Sequence, residues 1–284
     1  MNSTICVCGA GTMGSSIALL AALYSHPTIQ FDINADMLIK SRQAMEANLD
    51  FLLNKQKITS EGKEACLQKV RFTSNYKDCV ADIIIEAVAE RLDIKTTLFH
   101  QLAAINTPKT ILASNTSSLS INELQQQIPI PGRFAGMHFF NPAHVMKLVE
   151  LVRGNQTSET TINILTDLCR QWNKTAVICN DAPGFIVNRV ARPYYLEAMY
   201  MVEKGLATPE TIDRIMEASG FKMGPFKLMD LIGIDINYNV SQLVWEALGQ
   251  PERLIPSILQ KEKIAAGKLG KKSNEGFYSY PPDK

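Results

Sequence analysis

The chain has 284 residues, 46% hydrophobic and 20% charged, a soluble globular composition whose length suggests two domains. Lysine plus arginine (29) nearly balances aspartate plus glutamate (28), leaving a net charge of +1 without a basic block, which argues against a nucleic-acid partner. The six cysteines (Cys6, Cys8, Cys66, Cys79, Cys169, Cys179) lack a C-x-x-C pair and fit neither a zinc site nor a disulfide framework. No apolar run reaches membrane-spanning length and the start lacks signal-peptide character, so a cytoplasmic protein with no membrane partner is expected.

Eight short apolar runs read as strands: 5–9, 28–32, 70–74, 81–88, 110–114, 134–140, 147–152 and 175–180. Segments with helical periodicity separate several of them, the longest from Ala35 to Lys55. Strands alternating with helices imply right-handed crossovers and a mostly parallel sheet. After Asp181-Ala182-Pro183-Gly184 the strand-like runs stop, and helical patterns follow, broken at Thr208-Pro209, Gly224-Pro225 and Gln250-Pro251. The expected fold is therefore α/β, with a dinucleotide-binding domain over 1–183 and an all-α domain over 184–284.

The first strand runs into Gly9-Ala10-Gly11-Thr12-Met13-Gly14, a G-x-G-x-x-G pattern, and a helix is expected from Ser15 to Leu23. That context suits a dinucleotide: the glycines allow a tight turn and bring backbone N–H groups to a pyrophosphate at a helix N-terminus. Asp32 ends the second strand 18 residues after Gly14, where a carboxylate accepts from the adenosine ribose and repels a 2′-phosphate. NAD is favoured over NADP. Glu86 and Glu90, with Lys95, follow the fourth strand, where they either border the nicotinamide ribose or are capping and solvated charges.

Two polar residues stand inside apolar runs, His138 in Met137–Phe140 and Glu150 in LVELV (148–152). Neither tolerates burial alone, which suggests one hydrogen-bonded pair, either an acid/base unit or a structural pair in the core. His26 and His100 read as surface residues. Ser114 to Ser120 places hydroxyls directly after a strand, and Ser120-Ile121-Asn122-Glu123 reads as a capping box.

The stretches IIEAVAE (84–90), ILASNTSSLSI (111–121), RFAGMHFFNPAHVMKLVELVRG (133–154), APGFIVNR (182–189), MGPFKLMDLIGID (223–235) and GKLGKKSNEGFYSY (267–280) resemble the short-chain L-3-hydroxyacyl-CoA dehydrogenase family over almost the whole chain. The resemblance implies a Rossmann-type NAD domain, a helical substrate and dimerisation domain, an acyl-CoA substrate and a homodimer. It makes His138 the catalytic base, Glu150 its orienting partner, and Ser117 and Asn188 the groups that meet the reacting oxygen and thioester. Gly9, Gly11, Thr12, Met13, Gly14, Asp32, Glu90, Lys95 and Asn115 would hold NAD, and Asn48 and Lys55 would contact coenzyme A. Within the hydroxyl run Ser117 is then the reactive-site member, with Thr116 and Ser118 as turn residues. His144 departs from the family, which commonly has Pro or Val there; the alternatives are a contact with the acyl group, a contact with a phosphate and a solvated loop residue, and the loop residue is expected. Competing expectations are a related dehydrogenase of 3-hydroxyadipyl-CoA or of a sugar acid, and a non-catalytic NAD-binding redox sensor. Dehydrogenases that share the fold plan but use a catalytic Lys are disfavoured by the His138–Glu150 pair.

Overall fold

The computed structural model describes residues 3–281, and the chain divides into two compact units, 1–182 and 183–284. The first unit contains β1 (Ile5–Cys8), α1 (Thr12–Leu23), β2 (Thr28–Phe31), α2 (Ala35–Asn54), α3 (Ser60–Gln68), β3 (Val70–Thr73), β4 (Ile83–Glu86) and α4 (Leu92–Ile105). It continues through β5 (Ile111–Ser114), α5 (Ile121–Gln125), β6 (Phe134–Phe139), β7 (Leu148–Arg153), α6 (Glu159–Gln171) and β8 (Thr175–Asn180). The strands form one sheet in the order β3-β2-β1-β4-β5-β6-β7-β8. Every described pairing is parallel except β6 with β7.

This is the Rossmann-type order, with its reversal between β1 and β4. All residues of β1, β2, β4 and β5 are buried, as expected of parallel strands covered on both faces. Helix α1 is buried from Gly14 to Ala22, while α2 buries the stripe Leu38, Ser41, Met45 and Leu49. That 3–4 spacing places one apolar face on the core. Asn34 caps α2 by accepting the Asp36 N–H at 2.9 Å.

Two expectations are corrected. Helix α1 begins at Thr12 rather than Ser15, because Thr12 and Met13 already form its first turn behind the N-cap Gly11. His26 is not a surface residue: it is 2% exposed, its Nδ1 lies 2.8 Å from the Ser3 carbonyl, and its ring meets Trp172 edge-on. A turn residue can be buried when a neighbouring carbonyl satisfies it.

The second unit holds α7 (Val187–Glu203), α8 (Pro209–Ala218), α9 (Pro225–Ile232), α10 (Ile234–Ala247) and α11 (Ile258–Ala265). Tyr195, Met199, Ile212, Phe226, Met229 and Val244 form its core. Two buried carboxylates fasten its segments: Asp213 accepts the N–H groups of Phe226 and Lys227, and Asp230 those of Phe277 and Tyr278, each at 2.9 Å. Among the described residues no helix is long and apolar enough to cross a membrane.

Candidate active site

The glycine loop is shaped by close backbone approach. Gly9 has φ +109°, and a Cβ there would collide with the Ala87 carbonyl of the neighbouring strand end. At Gly14 a Cβ would collide with the Gly9 carbonyl, whereas at Gly11 it would meet no atom within 4 Å. Gly9 and Gly14 therefore serve packing, and Gly11 keeps a face open where a pyrophosphate can approach the start of α1. Thr12 is exposed and Met13 half-buried at that helix start. Asp32 closes the loop from β2, accepting the Ala10 N–H at 2.8 Å through Oδ2 and the Asn34 N–H at 2.9 Å through Oδ1. Beside it a cavity of about 770 Å³ is lined by Gly9, Gly11, Asp32, Val88, Ile94 and Leu98, among others. A largely apolar cavity with the Asp32 carboxylate beside the glycine loop, and Asp93 also in its lining, suits an adenosine.

At the ends of β4 and β5 lies a buried ionic cluster. Lys95 Nζ on α4 stands 2.6 Å from Glu86 Oε1 and 3.0 Å from Glu90 Oε2, and the Lys95 and Glu86 side chains are 1% and 0% exposed. Glu86 also accepts the Ser114 hydroxyl and the Val88 N–H. Burial raises its pKa against the opposing Lys95 charge. Glu90 Oε1 gathers the Thr116 hydroxyl (2.5 Å), the Ser117 N–H (2.9 Å), the Ser118 N–H (3.1 Å) and the Ser118 hydroxyl (2.9 Å). Burial works against the Glu90 carboxylate, but Lys95 and these hydroxyls outweigh it and hold its pKa below the ordinary value. The solvated-charge expectation for Glu86 and Lys95 is thus corrected. Glu86 sits in an apolar run as anomalously as Glu150 does, and that signal was available in the sequence.

This explains the hydroxyl run. Thr116 and Ser118 bind Glu90 and fix the loop, while the Ser117 hydroxyl has no hydrogen-bond partner among the described residues. Ser120 caps α5 by accepting the Glu123 N–H, and its own proton goes to Asp181. Asn115 accepts the Phe139 N–H at 2.9 Å, tying the end of β5 to the end of β6.

On β6 and β7, His138 and Glu150 are directly opposite in the antiparallel ladder. The ring Nδ1 lies 2.7 Å from Glu150 Oε2, with side chains 7% and 0% exposed. A carboxylate only accepts, so Nδ1 carries the proton in this contact.

The remaining expected residues are spread further. Asn48, half-buried on α2, donates to the Ala44 carbonyl at 2.8 Å and lines a cavity of about 390 Å³. Lys55 is exposed at the end of α2, with Nζ 5.7 Å from the Phe51 ring centre. Asn188 belongs to the second unit, in the first turn of α7, where its carbonyl accepts from Arg192 Nε at 2.8 Å. His144 is not a solvated loop residue: it is half-buried, with Nδ1 2.8 Å from the Ser16 hydroxyl. A contact across 128 residues leaves no local sequence signal.

Residues 4–182 match the family of the 3-hydroxyacyl-CoA dehydrogenase NAD binding domain, and residues 184–280 that of its C-terminal domain. The chain belongs to the 3-hydroxyacyl-CoA dehydrogenase family. Its first unit is thereby an NAD-binding domain. The chain is 44% identical over 283 residues to the 3-hydroxyadipyl-CoA dehydrogenase of Escherichia coli K12, matching 99% of this chain but spanning only 60% of that protein. It is 40% identical to a "probable 3-hydroxybutyryl-CoA dehydrogenase" of Deinococcus radiodurans, over 96% of this chain and 99% of the relative. The crystal structure of (S)-3-hydroxybutyryl-CoA dehydrogenase from Ralstonia eutropha superposes with a TM-score of 0.93 at 37% identity, covering 99% of this chain and 100% of that one. By name these relatives differ in acyl group.

Proposed function

We propose that the chain interconverts (S)-3-hydroxyacyl-CoA and 3-oxoacyl-CoA with NAD, acting on short acyl chains such as 3-hydroxybutyryl-CoA. The reading rests above all on the buried His138–Glu150 pair, an oriented base that a non-catalytic NAD-binding protein has no need to keep. In the oxidative direction His138 Nε2 takes the proton of the C3 hydroxyl, and Glu150 stabilises the imidazolium that forms. NAD, when bound, would supply the hydride acceptor, so the alcohol becomes the ketone by losing a hydride from C3 and a proton from its hydroxyl to His138. In reduction His138 returns the proton to the oxygen. Ser117 and Asn188 steady the C3 oxygen and the thioester. Asp32, Glu90, Lys95 and Asn115 support the cofactor together with Gly9, Gly11, Thr12, Met13 and Gly14, while Asn48 and Lys55 meet coenzyme A.

A dicarboxylic substrate such as 3-hydroxyadipyl-CoA is the second reading, supported by the name of the Escherichia coli relative. The helical unit is further proposed to form a homodimer. Its exposed Ile255 and Ile258 border a cavity of about 630 Å³ with Tyr200 and Leu196, an apolar strip flanked by Glu197, Glu203, Glu252 and Arg253.

The test is initial rates of NADH oxidation with acetoacetyl-CoA, longer 3-oxoacyl-CoAs and 3-oxoadipyl-CoA. Highest kcat/KM with acetoacetyl-CoA supports the first reading, and highest with 3-oxoadipyl-CoA the second. No turnover of any of them by folded, NADH-binding protein overturns both.

A further inference from the structure

Next to the dinucleotide loop, α1, α2 and the segment after β6 enclose the cavity of about 390 Å³. Leu19, Met37 and Met45 give it apolar walls, with Ser16, Asn48 and His144 between them. Its lining has one cation, Lys40, and no carboxylate. Gly11 and Thr12, at the start of α1, line the cavity as well and mark the end that suits a pyrophosphate, while the apolar walls farther along α1 and α2 suit a neutral, amphiphilic chain.

Ser16 fixes the state of the His144 ring. Its oxygen accepts the His144 backbone N–H at 3.2 Å and lies 2.8 Å from Nδ1, and because the hydroxyl has no other acceptor among the described residues its proton is assigned to Nδ1. A neutral ring that accepts at Nδ1 carries its proton on Nε2. Burial, and then the Lys174 ammonium, keep the ring's pKa below the ordinary histidine value, which favours that neutral form. The segment carrying the ring is itself clamped, since Lys174 Nζ donates to the carbonyls of Ala143 and Met146 at 2.7 and 2.8 Å. Nε2–H has no partner among the described residues. A held donor in the wall of an amphiphilic cavity calls for an acceptor on the ligand.

We infer that His144 Nε2 donates to an amide carbonyl of the pantetheine arm of the CoA thioester in this cavity, an assignment that rests on the dehydrogenase reading above. The pantetheine arm is uncharged, flexible and apolar between its two amides, and Ser16 acts as the positioning residue for the ring. His144 thus recognises the carrier and leaves the acyl group to other residues.

The experiment compares NADH-dependent reduction of acetoacetyl-CoA, acetoacetyl-pantetheine and the methyl thioester of acetoacetate by wild type, His144→Ala and His144→Gln. In His144→Ala, kcat/KM for the two pantetheine-bearing thioesters is expected to fall about fivefold relative to the methyl thioester, the loss of one neutral hydrogen bond. His144→Gln places an amide N–H near the position of Nε2 and should restore most of that ratio. An unmoved ratio overturns the inference and leaves His144 as a tether between its segment and α1. A loss confined to acetoacetyl-CoA also overturns it, because the contact would then be to a phosphate. Wild type that reduces none of the three removes the dehydrogenase reading, and this one with it; wild-type activity with an unmoved ratio removes this one alone.

Discussion

His138 and Glu150 face each other across the one antiparallel step of an otherwise parallel described sheet, in register and 2.7 Å apart. Register makes this pairing, since a slip of one residue would turn either side chain to the opposite face. Replacing Glu150 by Gln keeps the volume and an acceptor but removes the charge that stabilises imidazolium. The expected result is a folded protein whose kcat falls on the order of a hundredfold or more, as for other His–carboxylate pairs deprived of charge. NADH affinity, measured by fluorescence titration, should stay close to wild type. Near-normal kcat would make the pair a piece of core structure.

Asp32 has two tasks. It closes the glycine loop through the Ala10 and Asn34 N–H groups, and it lines the cavity of about 770 Å³. A carboxylate there accepts from a ribose and repels a 2′-phosphate, so kcat/KM should be higher with NADH than with NADPH. Asp32→Ser should weaken NADH and narrow the preference. A wild-type preference for NADPH contradicts the assignment.

Lys95 lies between two carboxylates, with no water-exposed face to spare. Lys95→Met leaves Glu86 buried without its cation, beside a Glu90 whose side chain is 36% exposed, and should cost about 3 kcal/mol in urea unfolding, the lower end of the usual penalty for breaking a buried pair from one side. Adding Glu86→Gln should recover part of that loss, because it removes the more deeply buried charge. A single substitution that costs less than about 1 kcal/mol would show that the cluster is open to solvent.

The same cluster has a pH signature. The Glu90 pKa is held below its ordinary value, so the folded state releases the proton more readily than the unfolded chain does. Its contribution is fully present above the unfolded glutamate pKa, near 4.5, and disappears as pH falls through the lower folded value. Between those two values stability should decline more steeply in wild type than in Glu90→Gln, as followed by thermal unfolding. Parallel curves would mean that the Thr116–Ser118 loop does not depend on the charge.

What the sequence made legible was periodicity and anomaly. Alternating runs indicate the α/β unit, and two polar residues inside apolar runs suggest the His138–Glu150 contact before any register is known. Glu86 had the same signature in ADIIIEAV, yet its partner Lys95 looks like an ordinary helix lysine, because burial depends on where α4 packs. His26 and His144 were misplaced for one reason: each is satisfied by a distant or turn-formed group, Ser3 and Ser16, that leaves no local pattern. Glycines were legible as a motif but not as separate roles.

Those roles can be separated experimentally. Gly14 has no room for a methyl group, since its Cβ would collide with the Gly9 carbonyl and neither backbone can yield without moving β1 or α1. Gly14→Ala should therefore lower Tm, with NADH binding lost as a consequence of the disturbed loop. At Gly11 the added methyl meets no atom within 4 Å, and the backbone there is extended, with φ −70°, which alanine adopts freely. Gly11→Ala should keep or slightly raise the Tm of the free protein. The methyl would nevertheless occupy the face that the pyrophosphate approaches, so NADH affinity should fall about tenfold or more while the fold stands. Measured side by side, one substitution damages stability and the other binding. Equal NADH affinity in Gly11→Ala and wild type would place the pyrophosphate elsewhere than at the start of α1.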